Sequence, residues 1–406
     1  MTRELPMPLE VIANPYQQID AVSCDRTTLS CNRCGQKESL RFCTLPSGIY
    51  YCPHCITLGR CDSTQQLVCF EQPSFRNREV TYVFEKKLTK QQESIANQLI
   101  KGIEAKQNQL IWAVTGAGKT EMLFPLLQQL LQEGKRIAIA SPRIDVCNEL
   151  YLRVRPVWPG EAIQLLHGQT TEKESSYSSL IICTTHQLYR FSSAFDVLII
   201  DEIDAFPFTA DKGLAYAAQK AKKDQGQLIY LTATPSDVLL KEIQHNFQIH
   251  QLPLRFHQRL LPEPKCLFWN RWHVKCMHHR SAKKLIQLLL RLVQKNHVLI
   301  FCPNIRYMEQ LTARLQGWLP HLKLTSVSSL DLERSTKVKE MRLKKYDVLL
   351  TTTILERGVT FENISIIVLG AEHRVFSKSS LVQIAGRADR KGGYTESEVY
   401  FIYHEM

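Results

Sequence analysis

The stretch Ala113-Val-Thr-Gly-Ala-Gly-Lys-Thr120 has the residue types and spacing of a loop that holds a polyphosphate. Gly116 and Gly118 permit positive φ and close backbone approach, so successive N–H groups can turn toward phosphate oxygens. Thr115 and Ala117 supply the rest of that backbone cradle. Lys119 can reach the β and γ phosphates, and Thr120 offers a hydroxyl to Mg²⁺. Ala113 stands where this loop pattern has its first glycine. A metal-side group is needed as well, and Phe195-Asp-Val-Leu-Ile-Ile-Asp-Glu-Ile-Asp204 supplies it. Asp201 can hold Mg²⁺ through water, and Glu202 can orient or deprotonate the attacking water. ATP and Mg²⁺ are the expected cofactors. Asp204 is equally compatible with a local turn cap.

A second chemistry lies near the N-terminus. Cys31-Asn-Arg-Cys34 and Cys52-Pro-His-Cys55 are two C-x-x-C knuckles separated by 17 residues. Four thiolates at that spacing can surround Zn²⁺ at about 2.3 Å. Phe42, Tyr50 and Tyr51 are expected to form a small core beside the metal. Eight of the 13 cysteines lie in residues 24–69. An odd count, with no basic-then-apolar segment at the N-terminus, points away from a disulfide scaffold and toward a reducing cytosol. Cys24, Cys43, Cys61 and Cys69 fall into no ligand pattern.

These groups need elements to position them. The phosphate loop follows an apolar run at Leu110–Val114 and precedes a helical pattern from Lys119. Further strands are expected at 136–140, 180–183, 197–200 and 228–232. The pattern then restarts, with strands at 298–302, 322–326, 348–352, 364–369 and 398–403. Strands alternating with helices imply parallel α/β sheets. The expected fold is therefore two tandem RecA-like parallel-sheet domains preceded by a small zinc-binding module. The expected bounds are a tail at 1–30, the four-cysteine module at 31–70, an ATP-binding domain at 71–250 and a second domain at 251–406. Val80, Tyr82 and Phe84 alternate and read as a strand-like connector between module and first domain.

The second domain narrows the class. Thr232-Ala-Thr-Pro235 follows a strand and can join lobe movement to the nucleotide. Gln383-Ile-Ala-Gly-Arg-Ala-Asp-Arg390 places Arg387 and Arg390 three apart, on one face of a helix. Two guanidinium groups so placed can act as arginine fingers. Taken in order, these motifs resemble a superfamily 2 helicase core over residues 80–406. With the cysteine module added, the chain most resembles the ComFA family. Those late-competence ATPases are tied to the entry of transforming single-stranded DNA. The resemblance implies that Gln92, in Leu88-Thr-Lys-Gln-Gln92, contacts the adenine, and that Gly358 lies in a nucleotide-linked stretch at 349–360. It implies DNA contacts at Arg143, Thr184, Thr185, Asn304 and Thr352. It also implies ComFC and the membrane DNA-uptake channel as partners, and a cytoplasmic place at the inner face of the membrane. Self-association stays open. Asp389 stands where such helicases often have glycine.

Charge agrees with a polyanion partner. Residues 252–406 carry 25 Lys/Arg against 13 Asp/Glu, which accounts for the whole net charge of +12. No run of about 18 apolar residues exists to span a membrane. The expected function is an ATP-dependent single-stranded DNA translocase. A duplex-unwinding helicase of repair or replication restart is the alternative, and would share every catalytic residue. A zinc-dependent adaptor without ATPase activity is disfavoured by the intact Lys119, Asp201, Glu202 and Arg387.

Overall fold

The structure, a computed structural model, describes residues 16–70, 73–168, 177–257, 261–389 and 397–404. Contacts divide the chain into two compact units. One holds residues up to 112 together with 119–251. The other holds 113–118 together with residues from 252 onward.

The first unit is built on a seven-stranded sheet. In chain order its strands are β6 Asn108–Ala113, β7 Ile137–Ser141, β8 Ile163–Leu166, β9 Leu180–Thr184, β10 Phe195–Asp201, β11 Lys222–Thr232 and β12 Phe247–Leu252. In space the order is β12-β6-β11-β10-β7-β9-β8. The pairs linking β6, β11, β10, β7, β9 and β8 are all parallel. Every residue of β7 and β9 is buried, as expected where helices cover both faces of a parallel sheet. The helices used below are α1 Lys90–Glu104, α2 Lys119–Gln132, α3 Ile144–Val154 and α4 Lys212–Ala221.

Five short strands precede this sheet: β1 Tyr16–Asp20, β2 Val22–Cys24, β3 Thr28–Cys31, β4 Lys37–Ser39 and β5 Gln66–Phe70. The strand β1 pairs antiparallel with β5, and β2, β3 and β4 form a meander. Residues 16–30, expected as a tail, are thus part of the cysteine module. The expected aromatic core is also corrected. Phe42 is 71% exposed and takes no part, Tyr50 is half-buried against the thiol cluster as expected, and the buried apolar groups beside the thiols are Ala21, Val22, Leu29 and Cys43.

Residues 73–89 form no strand. Val80 is buried, and Tyr82 and Phe84 join an aromatic cluster with Phe124 and Trp158 at centroid spacings of 4.9–6.3 Å. Isolated bonds, from Arg78 N to Gln132 O and from Val83 N to Val157 O, hold this strap in place of a ladder. Alternation here reports one buried face, which an extended strap shares with a strand.

The second unit has a six-stranded sheet of β13 Lys265–Phe268, β14 His297–Phe301, β15 Leu324–Val327, β16 Val348–Thr351, β17 Ile364–Leu369 and β18 Val399–Tyr403. Its order is β13-β18-β17-β14-β16-β15, and all pairs are parallel. The helices used below are α5 Lys283–Val293, α6 Ile305–Trp318 and α7 Lys378–Ala385. Among the described residues, no helix is long and apolar enough to cross a membrane.

Candidate nucleotide and metal sites

Register places the nucleotide groups at one edge of the first sheet. Trp112 on β6 lies opposite Thr232 on β11, and Leu231 on β11 lies opposite Asp201 on β10. The phosphate loop, the Thr-Ala-Thr turn and the acidic pair therefore all leave the carboxyl ends of three adjacent strands. Ligands of open α/β sheets bind outside that edge. Gly116 and Gly118 have φ of 85° and 77°, the left-handed region that a side chain would strain. The Ala117 N–H closes the turn onto Val114 O at 3.1 Å. Lys119 opens α2, and Thr120 behind it is buried.

The acidic turn is held from several sides. Glu202 has φ 56°, an uncommon value for a residue with a side chain. Its N–H donates to Asp201 Oδ1 at 2.9 Å. Ile203 N donates to Leu231 O, and Ala205 N to Glu202 O. Surrounding bonds of this kind over-determine a costly backbone angle, a pattern common at functional sites. The role of Asp204 is sharper than its sequence context suggests. Its carboxylate accepts from Thr232 Oγ1 at 2.7 Å and from Thr234 Oγ1 at 2.8 Å. The third acid of the motif thus clamps both hydroxyls of the Thr-Ala-Thr turn.

Gln92 is buried at the third position of α1. It completes a capping box, since its Oε1 accepts from Thr89 N and Thr89 Oγ1 accepts from Gln92 N. Burial pushes the thiol of Cys183, on β9 two strands from the acidic strand, up to about 12.

In the second unit, which includes residues 113–118, the Thr115 hydroxyl donates to Gln383 Oε1 at 2.9 Å. Gln383 lies on α7. Arg387 is 3% exposed, and its guanidinium donates to Val359 O, next to Gly358 at φ 74°. Arg390 lies outside the described residues. Asp389 has φ 52°, which explains why glycine suits this position and why aspartate is tolerated. Arg255, a residue that no sequence motif flagged, donates to the carbonyls of Gly386, Ala388 and Asp389 at 2.8–3.1 Å. It cups the carboxyl end of α7, where a cation suits both the unpaired carbonyls and the dipole.

The expected DNA-contact residues divide by exposure. Asn304 is exposed and caps α6 through Tyr307 N at 2.8 Å. Thr352 and Arg143 are half-buried, and Thr184 is nearly covered. Thr185 is fully buried. Its side chain offers no surface to a strand, which corrects that expectation.

The four expected metal thiols converge. The Sγ atoms of Cys31, Cys34, Cys52 and Cys55 all lie within 4.8 Å of one another and all four residues are buried. Cys31 to Cys55 is 3.7 Å and Cys34 to Cys52 is 3.6 Å. A tetrahedral Zn²⁺ with Zn–S near 2.3 Å has S–S edges of about 3.8 Å, so the set fits zinc. Hydrogen bonding, first of all with Cys34, pulls Cys31 below the usual thiol range. Cys61 was not foreseen; its Sγ lies 3.7 Å from that of Cys31. Arg33 donates from Nε to Cys55 Sγ at 3.3 Å, a contact that offsets negative charge on the thiolates.

The module is docked on the first sheet's helix α4. Lys220 Nζ donates to Asn32 O at 3.2 Å, and burial lowers the pKa of that ammonium. A Cβ added to Gly35, at φ 68°, would meet the Tyr216 ring at 2.4 Å. The buried thiols form one apolar cluster with Leu214, Ala217, Ala218 and Ala221 of α4 and with Leu198 and Ile200 of β10. The module is therefore packed against the ATP-binding sheet and not merely joined to it through the connector.

Two parallel sheets with these motifs at their carboxyl edges define a superfamily 2 helicase-type ATPase core. Family models agree: "Type III restriction enzyme, res subunit" matches residues 85–237, and "Helicase conserved C-terminal domain" matches 280–392. Solved structures share the fold. Yeast Dbp5 bound to RNA and ADP BeF3 matches with TM-score 0.59 and 15% identity, over 79% of this chain and 88% of that one. The Mycobacterium smegmatis helicase Lhr bound to ssDNA and AMP-PNP matches with TM-score 0.60 and 17% identity, over 78% of this chain and 48% of that one. The N-terminal region matches the model "Competence protein ComFA N-terminal domain" over residues 2–69. Competence protein ComFA of Bacillus subtilis is 38% identical over 95% of this chain and 84% of its own length. That of Streptococcus pneumoniae is 36% identical, with 95% and 89% covered. The chain belongs to the ComFA competence protein family.

Proposed function

We propose that this chain is an ATP-dependent single-stranded DNA translocase that drives transforming DNA inward during natural competence. The observation that carries the reading is the level alignment of the phosphate loop, Thr232 and Asp201 on three adjacent strands, within a chain of this family. In this reading the loop N–H groups and Lys119 bind the β and γ phosphates of ATP. Thr120 and Asp201 would hold Mg²⁺, which screens phosphate charge. Glu202 positions the attacking water and accepts its proton. Arg387 and Arg390 act on charge that develops at the γ phosphate. Asp204, through Thr232 and Thr234, ties the acidic turn to the Thr-Ala-Thr turn at the end of β11.

Arg143, Thr184, Asn304 and Thr352 hold the strand through its phosphates, so that binding is sequence-tolerant. Gln92 reads the adenine with its amide edge, and Gly358 keeps the 349–360 turn close to the nucleotide. ComFC and the DNA-uptake channel at the inner face of the membrane are the proposed partners, and self-association fits the same role. Zinc held by the four thiols fixes the module.

The test is steady-state ATPase activity with and without single-stranded DNA, beside a strand-displacement assay. DNA-stimulated hydrolysis without displacement of a blunt duplex supports a translocase. Displacement at a comparable rate makes it a helicase. Hydrolysis that Lys119→Ala leaves intact removes the nucleotide site altogether.

A further inference from the structure

Residues 264–308 contain no Asp or Glu at all, yet they hold nine Lys/Arg and four His. Some basic residues of this unit are paired: Lys337 meets Asp331 at 2.8 Å and Lys345 meets Glu340 at 3.1 Å, and at the ends of the segment Lys265 and Arg291 meet Glu398 at 2.5 and 3.6 Å. The stretch between β13 and the first turn of α5 has no such partner among the described residues. Arg271, Arg280, Lys283 and Lys284 are exposed, and none forms an ion pair among the described residues. We propose that this segment is a second contact surface for the phosphate backbone of a single DNA strand, continuous with Asn304. The inference rests on the translocase reading.

Topology gives the continuity. Phe268 on β13 lies opposite Tyr403 on β18, and Leu369 on β17 opposite Ile402. Phe301 on β14 lies opposite both Val368 and Thr351. The chain after β13 therefore leaves the sheet at the same edge as Asn304 and Thr352. Trp272 fixes it there. Its Nε1 donates to Glu372 Oε1 at 2.9 Å, and its ring meets Tyr307, in the first turn of α6, at 5.3 Å. Gly370 leaves room for that ring, since a Cβ there would stand 2.3 Å from it. Phe268 is 63% exposed beside the basic run, an available stacking face for a base.

A second, independent observation lies in α5. The helix begins with Ala282 at its N-cap, without a side-chain cap, and with Lys283 and Lys284 in its first turn. Cations at a helix N-terminus oppose the macrodipole, and Asp, Ser or Asn would serve better at the cap. A local choice that works against the helix is expected where function, rather than folding, selects the residue. The chemistry favours single-stranded nucleic acid over an anionic membrane. The surface combines cations with an exposed ring at the edge already assigned to phosphate contacts, and the apolar face of α5, through Leu285, Leu289 and Leu292, is already buried in the unit's own core rather than offered to a bilayer.

The test uses the full chain and a labelled oligothymidylate, with binding read by anisotropy across a salt series. The variant Lys283→Glu/Lys284→Glu is compared with Lys339→Glu/Lys344→Glu, the same charge change elsewhere in the unit. The first variant is expected to bind about tenfold more weakly at low salt. Its log–log salt slope should shrink by about 1.4, since each lost single-strand contact removes about 0.7. Its melting temperature should equal or exceed that of the parent, because acids suit a helix N-terminus. The control should keep the parent slope. Loss of affinity together with a fall in melting temperature would make these lysines structural and overturn the assignment. Unchanged affinity and slope would also overturn it. So would lost binding to phosphatidylglycerol vesicles with oligothymidylate binding kept, which would assign the surface to lipid. A parent chain that binds no oligothymidylate would instead sink the translocase reading itself.

Discussion

The cysteine module and the parallel sheet beside it are specified in opposite ways. In the sheet, dozens of interchangeable apolar contacts fix the fold; β7, β9 and most of β10 are buried throughout. In the module, strands of three to five residues surround four thiols, and little apolar surface is covered. Distributed specification tolerates single losses. Concentrated specification does not, and here the two regions share one cluster through α4. A fragile element thus sits against a robust one, on the helix that follows the acidic turn. That arrangement predicts that damage to the module reaches the ATPase sheet.

The largest expected effect is from Cys52→Ser. Structural zinc contributes on the order of 10–16 kcal/mol to small domains, and three thiols hold it far less well. Metal content measured on the purified variant should drop from one zinc per chain to none. Because the module shares buried groups with α4, the melting temperature of the ATP-binding unit should fall too. A variant that loses zinc but keeps the parent's melting profile would show that the two regions are independent after all.

Glu202→Gln inverts the comparison, removing chemistry while leaving the fold. Turnover should fall by about 10³-fold or more, roughly 4 kcal/mol in the barrier. Nucleotide binding, read with a fluorescent ATP analogue, should survive. Loss of binding equal to the loss of turnover would make Glu202 a structural group of the acidic turn.

Gly35→Ala probes the seam itself. Its Cβ would strike the Tyr216 ring, and φ 68° is strained for alanine, so about 1–3 kcal/mol should be lost. The expected sign of specific coupling is a lower melting temperature with zinc content unchanged. Tyr216→Ala on the same background relieves the clash and should recover part of the loss. No recovery would place the defect in the knuckle rather than in the docking.

The same contrast explains what the sequence disclosed. The strands β6, β7, β9 and β10 are apolar runs bounded by loops, and burial on both faces makes such runs legible without a structure. The loop at 113–120 and the acids at 201–202 were legible because phosphate chemistry allows few residue types at that spacing. The strand β13 was not, because all four of its residues are exposed at a sheet edge. The strands β1–β3 are not legible because they are short antiparallel segments, β1 paired with β5 and β2–β3 in the meander, packed around the thiols rather than along a hydrophobic face. Cys61 and Arg255 act through contacts 30 and more than 130 residues away in sequence, a separation that no local spacing encodes.

The smallest expected effect separates two roles of one side chain. Gln92 Oε1 is engaged by the Thr89 N–H, so Gln92 shapes the start of α1 whatever it does toward a base. Thr89→Ala removes one half of the capping box, the hydroxyl that accepts from Gln92 N, and should cost about 1 kcal/mol of stability. Its effect on nucleotide choice should be slight, since the Gln92 amide keeps its other bonds. Gln92→Ala should cost a similar amount of stability. It should also erode the preference for ATP over GTP, because the amide edge that can pair with adenine is gone. Steady-state kinetics with both nucleotides, set beside thermal melts of the two variants, resolve the roles. If both variants lose stability alike and both keep the parent's ATP preference, Gln92 is a helix cap and nothing more. The base must then be read elsewhere or not at all.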